Sequence, residues 1–233
     1  MKNMDNRDWE TWETHSEYGQ TMEDRALGKA PLMEQIKQLV PLFKSVYKPG
    51  MSVLDIGCGV GHFFPALNKF GKIDYLGIDV TKSYIERAKR IFKDVKNAKF
   101  QVGDIFDLKL NKEFDTVICY MVLPFIPDYK KALDELSKVT KKDLFIRLLL
   151  SPGHTYIIKR YLDEKKFNYY NIYYEKEFVE YLNKIGFEDV KVYDDEFNLK
   201  MNKVDEWSTY TLGNMQISGN LILTWKVVHA SKK

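Results

Sequence analysis

Apolar and polar positions fall into two alternating patterns from residue 49 onward. Short β-branched or fully apolar runs alternate with longer stretches in which apolar residues recur at helical spacing. The run Ser52–Ile56 leads into a glycine cluster, Gly57-Cys58-Gly59-Val60-Gly61, and then a predicted helix from His62 to Phe70 that Gly71 stops. Asp74–Asp79 reads as a second strand, Thr81 as an N-cap and Lys82–Lys93 as the helix it opens. Lys99–Asp104 is a third strand. Phe114–Tyr120 is a fourth, almost wholly apolar or β-branched, as a strand buried on both faces should be. Asp128 caps a helix running to about Thr140, and Leu144–Leu150 is a fifth strand. The β-α-β-α rhythm predicts a parallel, doubly wound sheet with helices on both faces.

The rhythm changes after Ser151. Residues 151–174 read as irregular and rich in tyrosine, Glu175–Ile185 returns to helix, and Gly186 closes it. Phe187–Tyr193 and Leu221–His229 leave no room for a regular crossover helix. They read as an antiparallel, hairpin-like pair separated by a long insertion, 194–218. The expected fold class is therefore α/β, with a seven-stranded, mostly parallel sheet and a late antiparallel strand. Residues 1–48 form a helical N-terminal cap or lid, and residues 49–233 form the main domain.

Composition narrows the function classes. In 233 residues, 45% are hydrophobic and 30% charged, a globular balance. Lys+Arg 36 against Asp+Glu 33 leaves +3, which argues against a dedicated nucleic-acid binder. No apolar run approaches the roughly 18–20 residues of a membrane span; even Leu144–Leu150 is broken by Arg147. Met1–Glu10 is polar and partly acidic, unlike a signal peptide. Cys58 and Cys119 make no disulfide framework, so a reducing, cytoplasmic location is the expectation. No Cys/His cluster suggests a metal.

The chemistry concentrates at the glycine cluster. A glycine-rich bend between a first strand and a helix lets backbone approach a ligand at the carboxyl edge of the sheet. Three acids accompany it: Asp55 before the first glycine, Asp79 at the end of the second strand and Asp104 at the end of the third. A dinucleotide fingerprint, G-x-G-x-x-G, would need a third glycine where His62 stands. Asp55 would also repel a pyrophosphate, whereas it suits a ligand carrying a positive group.

Val53–Gly61 resembles the first motif of class I S-adenosylmethionine-dependent methyltransferases, of the kind that act on small molecules. Tyr75–Val80 is similar to the second motif, Gln101–Ile105 to the third, and Phe114–Asp128 to the fourth strand with its following loop. Gly186-Phe187-Glu188-Asp189-Val190 resembles the approach to the sixth strand. The resemblance covers roughly residues 50–229 and implies a Rossmann-like methyltransferase fold with S-adenosylmethionine as cofactor and S-adenosylhomocysteine as product. It further implies that Gly57, Cys58 and Gly59 lie against the methionine and ribose portions. By the same resemblance, Asp55 orients the bend near the ammonium, and Asp79 accepts from both ribose hydroxyls. Val80 packs on adenine, Asp104 accepts from its exocyclic amine, Ile105 completes the slot, and Tyr120 lies beside the sulfonium. Arg25, upstream of the first motif, is expected to pair with the cofactor's carboxylate.

No catalytic base is assigned. Many relatives carry histidines after the fourth strand, where this chain has Pro124 and Phe125. The candidates are His154, after the fifth strand, and His15, in the cap; His62 begins the first helix, and His229 reads as a surface residue. Trp9, Trp12 and Tyr18 are expected to close over substrate. Arg147 either faces the crevice to bind an anionic substrate group or pairs with an acid at the sheet edge. Lys159, Arg160, Lys165 and Lys166 read as a solvated basic face. The loop after the fourth strand lacks the signatures of DNA-amino, protein-arginine and metal-assisted catechol enzymes. The expected partner is thus a small-molecule methyl acceptor, with no nucleic acid and no membrane, for a monomer or homodimer. Two alternatives stay open: an RNA- or ribosome-modifying enzyme, and an inactive methyltransferase-like binding subunit.

Overall fold

The computed structural model describes residues 16–162, 164, 166–194, 202–203, 209–212, 215–218 and 224–233. Two helices, α1 (Ser16–Ala26) and α2 (Glu34–Val46), precede the first strand. Strand β1 (Ser52–Ile56), helix α3 (Phe64–Leu67), β2 (Asp74–Asp79), α4 (Lys82–Ile91), β3 (Ala98–Val102) and β4 (Phe114–Tyr120) follow. Then come α5 (Tyr129–Val139), β5 (Thr140–Ser151), β6 (Lys159–Tyr161), β7 (Phe167–Tyr169), β8 (Tyr173–Tyr174) and α6 (Glu175–Lys184). The last elements are β9 (Asp189–Asp194), β10 (Asn202–Lys203), β11 (Thr209–Leu212), β12 (Met215–Ser218) and β13 (Thr224–Ser231).

The main sheet runs in the order β3-β2-β1-β4-β5-β13-β9, with β8 added beside β5. Strands β1 to β5 pair in parallel, while β13 is antiparallel to both β5 and β9. The late strands therefore form the expected antiparallel pair; Leu221, where the last strand was expected to begin, lies outside the described residues. The chain reverses its direction of progress across the sheet between β1 and β4. That switch point opens a crevice at their carboxyl ends. Apolar residues fill both faces of the sheet. Helices α2, α3 and α4 supply Leu39, Phe64 and Ile85 to one side, and α5 and α6 supply Leu133 and Phe178 to the other.

Several local expectations change. The single helix His62–Phe70 is a turn, the short helix α3 and a 3-10 turn, Asn68–Phe70. Pro65, lacking an N–H, is tolerated at a helix start. Thr81 occupies the N-cap position of α4 but makes no side-chain cap bond. Asp128 does cap α5, accepting from Lys130 N at 3.0 Å and Lys131 N at 3.2 Å. Residues 151–174 are not irregular throughout. Strands β6 and β7 pair antiparallel, with Tyr161 and Phe167 rings 5.7 Å apart and Lys159 Nζ 4.6 Å from the Phe167 ring. Cross-strand aromatic and cation contacts of this kind stabilise a short hairpin that sequence alternation alone is too brief to reveal. Within the insertion 194–218, β10, β11 and β12 form an antiparallel three-stranded sheet.

Candidate active site

A solvent-open cavity, enclosing about 1120 Å³ with the open solvent at its mouth included, lies over the switch point. Asp55, Asp79 and Asp104 all line it, together with Gly57, Cys58, Gly59, Val80, Ile105 and Tyr120. The bend between β1 and α3 is left-handed at Gly57 (φ +74°) and Gly59 (φ +55°), conformations that cost L side chains energy. A Cβ on Gly57 would come 2.2 Å from Val122 Cγ2.

Each acid is held by its neighbours. Asp79 Oδ2 accepts from Gly59 N and Oδ1 from Thr81 N, both at 2.8 Å. The carboxylate is thus oriented by the glycine bend and the start of α4, and the remaining lone pairs of its oxygens can accept further donors. Asp104 Oδ1 accepts from Phe106 N at 2.9 Å. Asp55 Oδ2 accepts from Tyr75 Oη at 2.5 Å. Burial pushes the Asp55 carboxyl up to about 7; the Tyr75 bond opposes this and the Asp79 charge adds to it. A cation entering the cavity would favour its ionised form. The Cys58 thiol is pushed up, by burial first and then by Asp79 and Asp55, so it is a packing residue rather than a nucleophile.

Tyr120 is buried, its ring edge-on to Phe63 at 5.6 Å. Val80 is 39% exposed, an unusual position for valine but a natural one for a residue that packs on a planar ligand. On the cap side, Tyr18 and Met22 of α1 line the cavity. Helix α1 is fastened to α4 through Glu23, which meets Arg87 at 2.9 Å and Arg90 at 2.8 Å. The opposite wall is Met121, Val122, Phe125 and Ile126.

Other nominated residues lie elsewhere. Arg25 does not line the cavity; its Nη1 reaches Met22 Sδ at 3.5 Å. Arg147 is fully buried behind the wall rather than in it. Its guanidinium sits 4.1 Å from the Trp225 ring centroid, and Nη1 contacts Met121 Sδ. The reason is its place in β5, where the side chain runs beneath the loop that follows β4. His154 is exposed in the turn after β5 and does not line the cavity. His229 is not a surface residue: its Nε2 lies 2.8 Å from buried Asp143 Oδ1, and its ring stacks on Phe145 at 4.3 Å. Burial acts to raise the Asp143 carboxyl, but hydrogen bonds from His229 and Ser231 outweigh it and hold the group low. Lys159 is exposed and packs on aromatic rings, and Arg160 is half-buried. Trp9, Trp12, His15 and Lys165 lie outside the described residues.

The motifs pass over Tyr84 and Met33 and assign no role to Met121 or Phe125, all of which line the cavity. Tyr84 offers a signal in hindsight: it sits in the first turn of α4, just past the Asp79 strand end. Met121 is left-handed at φ +61° without being glycine, which no motif announces.

Comparison with known proteins agrees with this geometry. Residues 47–149 match the family model described as "Methyltransferase domain". Demethylmenaquinone methyltransferase of Staphylococcus saprophyticus is 33% identical over 99 residues, covering 40% of this chain and 42% of that protein. The uncharacterized methyltransferase YcgJ of Bacillus subtilis is 34% identical over 94 residues, covering 39% of this chain and 37% of that one. The chain therefore spans well under two thirds of these curated relatives. Magnesium protoporphyrin IX methyltransferase from Synechocystis PCC 6803, solved with bound SAM, superposes with a TM-score of 0.64 at 16% identity, covering 99% of this chain and 100% of that one. The family-model match covers somewhat under half of the chain, and the structural likeness at 16% identity shows a shared fold.

Proposed function

We propose that this chain transfers a methyl group from S-adenosylmethionine to an oxygen or nitrogen nucleophile of a small molecule. The observation that carries the reading is the convergence of Asp55, Asp79 and Asp104 on one cavity above a side-chain-free bend. These residues fit the donor. Asp79 would accept from the ribose hydroxyls, Val80 and Ile105 would enclose the adenine, and Asp104 would accept from its amine. Gly57 and Gly59 would lie against the tail, and Tyr120 would lie beside the sulfonium. When bound, the donor supplies an electrophilic methyl group that needs no activation by the protein. The chain's own contribution is alignment: a nucleophile held in line at about 3–3.5 Å recovers much of the barrier.

The wall of Met33, Met121, Val122, Phe125 and Ile126 supports a small apolar acceptor. Two similar proteins are named for acting on small molecules, demethylmenaquinone and magnesium protoporphyrin IX. For a hydroxyl acceptor, His154 is not placed to take the proton, because it does not line the cavity. His62 lies in the cavity, but a pKa lowered to about 4 makes it a poor base.

Calorimetric titration with S-adenosylhomocysteine tests the donor site. The wild-type chain should bind. Asp79→Ala should weaken binding by about 100-fold, the loss of two charge-assisted hydrogen bonds. Asp79→Asn, which keeps the shape, should fall between. No heat with the wild-type chain would sink the reading.

A further inference from the structure

The hairpin of β6 and β7 has an inner and an outer face. Alternation along β6 and the residues before it turns Tyr156, Ile158 and Arg160 inward and Ile157, Lys159 and Tyr161 outward, the first three half-buried and the last three exposed. Inward, Tyr156 and Ile158 pack on the buried cluster of Leu149, Ile172 and Trp225. Register sets Tyr169 opposite Lys159 and Phe167 opposite Tyr161, so both join the outer face. An antiparallel pair with one face on the core ordinarily turns polar residues to water. Here the outer face is Ile157, Lys159, Tyr161, Phe167 and Tyr169. Ile157 is 57% exposed and Tyr161 63%, and Leu162 beside the turn is 39% exposed.

Charge and position select the occupant. The outer face holds a cation and no acid: Lys159 Nζ lies 4.6 Å from the Phe167 ring centroid and 5.8 Å from that of Tyr169. Near the turn, exposed Lys166 stands with exposed Glu164. Tyrosines beside lysines whose stems lie along apolar surface suit a boundary between lipid and water, with ring bodies on one side and polar tips on the other. The base of the hairpin is bonded to the loop after β4. Tyr170 N donates to Ile158 O at 2.9 Å and Asn171 N to Pro124 O at 2.7 Å.

We propose that the outer face of this hairpin docks on an anionic lipid surface, its apolar side chains entering the headgroup boundary and its lysines meeting the phosphates. Sequence alone predicts no membrane partner because it holds no spanning run. Among the described residues no helix is long and apolar enough to cross a bilayer, and this contact is at the surface only. An apolar acceptor dissolved in that surface would be presented beside the loop whose Phe125 and Ile126 line the cavity. That consequence rests on the function proposed above; the docking itself does not.

Co-sedimentation with vesicles of phosphatidylcholine, with and without phosphatidylglycerol, tests the proposal at low salt. The wild-type chain should partition onto the anionic vesicles, and added salt should weaken the binding. Ile157→Ser/Tyr161→Ser/Leu162→Ser should reduce partition by about tenfold or more, and Lys159→Gln/Lys166→Gln by about tenfold. Both variants should bind S-adenosylhomocysteine as the wild type does. Should the triple variant fail to fold, Tyr161→Ser alone should still reduce partition by about threefold. No partition of the wild-type chain overturns the proposal, as does a loss confined to the lysine variant, which would be general adsorption of a cationic chain. A dimer that the apolar variants split, without vesicle binding, assigns the face to a second copy and overturns it too. Vesicle binding by a chain that binds no S-adenosylhomocysteine would keep the docking and remove the donor reading.

Discussion

The two walls of the cavity are built by different means. On the donor side, every acid is fixed by a partner close in sequence. Asp79 binds an amide two residues on and another 20 residues back, Asp55 a tyrosine 20 residues on, and Asp104 an amide two residues on. On the acceptor side, the loop after β4 is held from far along the chain. Fully buried Asn171 donates through Nδ2 to Ile126 O at 2.9 Å, across 45 residues. Tyr173 Oη donates to Leu123 O at 2.8 Å, across 50. Asn171 N adds a bond to Pro124 O at 2.7 Å. Phe125 then packs edge-on to Tyr170 at 5.6 Å, and Tyr170 to Trp225 at 6.3 Å. The donor wall is a set of short motifs that can be transplanted together. The wall formed by the loop after β4 depends on the insertion after β5.

The largest expected effect lies where the walls touch. Gly57→Ala would force a left-handed alanine against Val122, which belongs to the acceptor loop. Backbone strain and overpacking should together cost about 2–5 kcal/mol and bring S-adenosylhomocysteine binding below detection. Denaturant unfolding and calorimetry would measure both, and intact binding would show that the walls are not in contact as described.

Asn171→Ala probes their independence. It removes the Nδ2 donor of Ile126 O and the Oδ1 acceptor of Ile158 N and should lower stability by about 1–3 kcal/mol, yet S-adenosylhomocysteine affinity should change less than about twofold, within the additivity of distant sites. A parallel fall in donor affinity would break the distinction between the walls.

A further effect concerns pH and belongs to the donor wall alone. Asp55 sits at about 7 in the folded chain, raised from an ordinary 3.8. The folded state therefore holds its proton more tightly than the unfolded state. That contribution is fully present below about pH 4 and is lost as pH rises through 7. Asp55→Asn should flatten this part of the stability profile, as read by denaturant midpoints from pH 5 to 8; an unchanged slope would assign the titration to another group.

The same division governs what could be read from the sequence. The strand ends at Ile56, Asp79 and Tyr120 and the Asp128 cap were legible because each rests on local pattern: apolar runs, a glycine bend, an acid ahead of a helix. Arg147 was not. A charged residue in a buried strand invites a substrate or an ion pair, and only the packing of Trp225 and Met121 showed that it supports the wall from behind. His229 read as a surface residue near the chain end, because nothing local announces Asp143 on the neighbouring strand. Met121 and Phe125 became part of the cavity only through a backbone turn and a loop that distant residues hold.

The amino-acid order by itself determined the winding of the sheet, the place of its switch point and the three carboxylates at adjoining strand ends. Those features follow from periodicity and from hydrogen bonds that close over short loops. Tertiary structure alone decided which apolar residues line the cavity wall on the loop after β4 and where buried Arg147 rests. Such contacts join segments whose separation carries no pattern, and their energy exists only once the chain has packed.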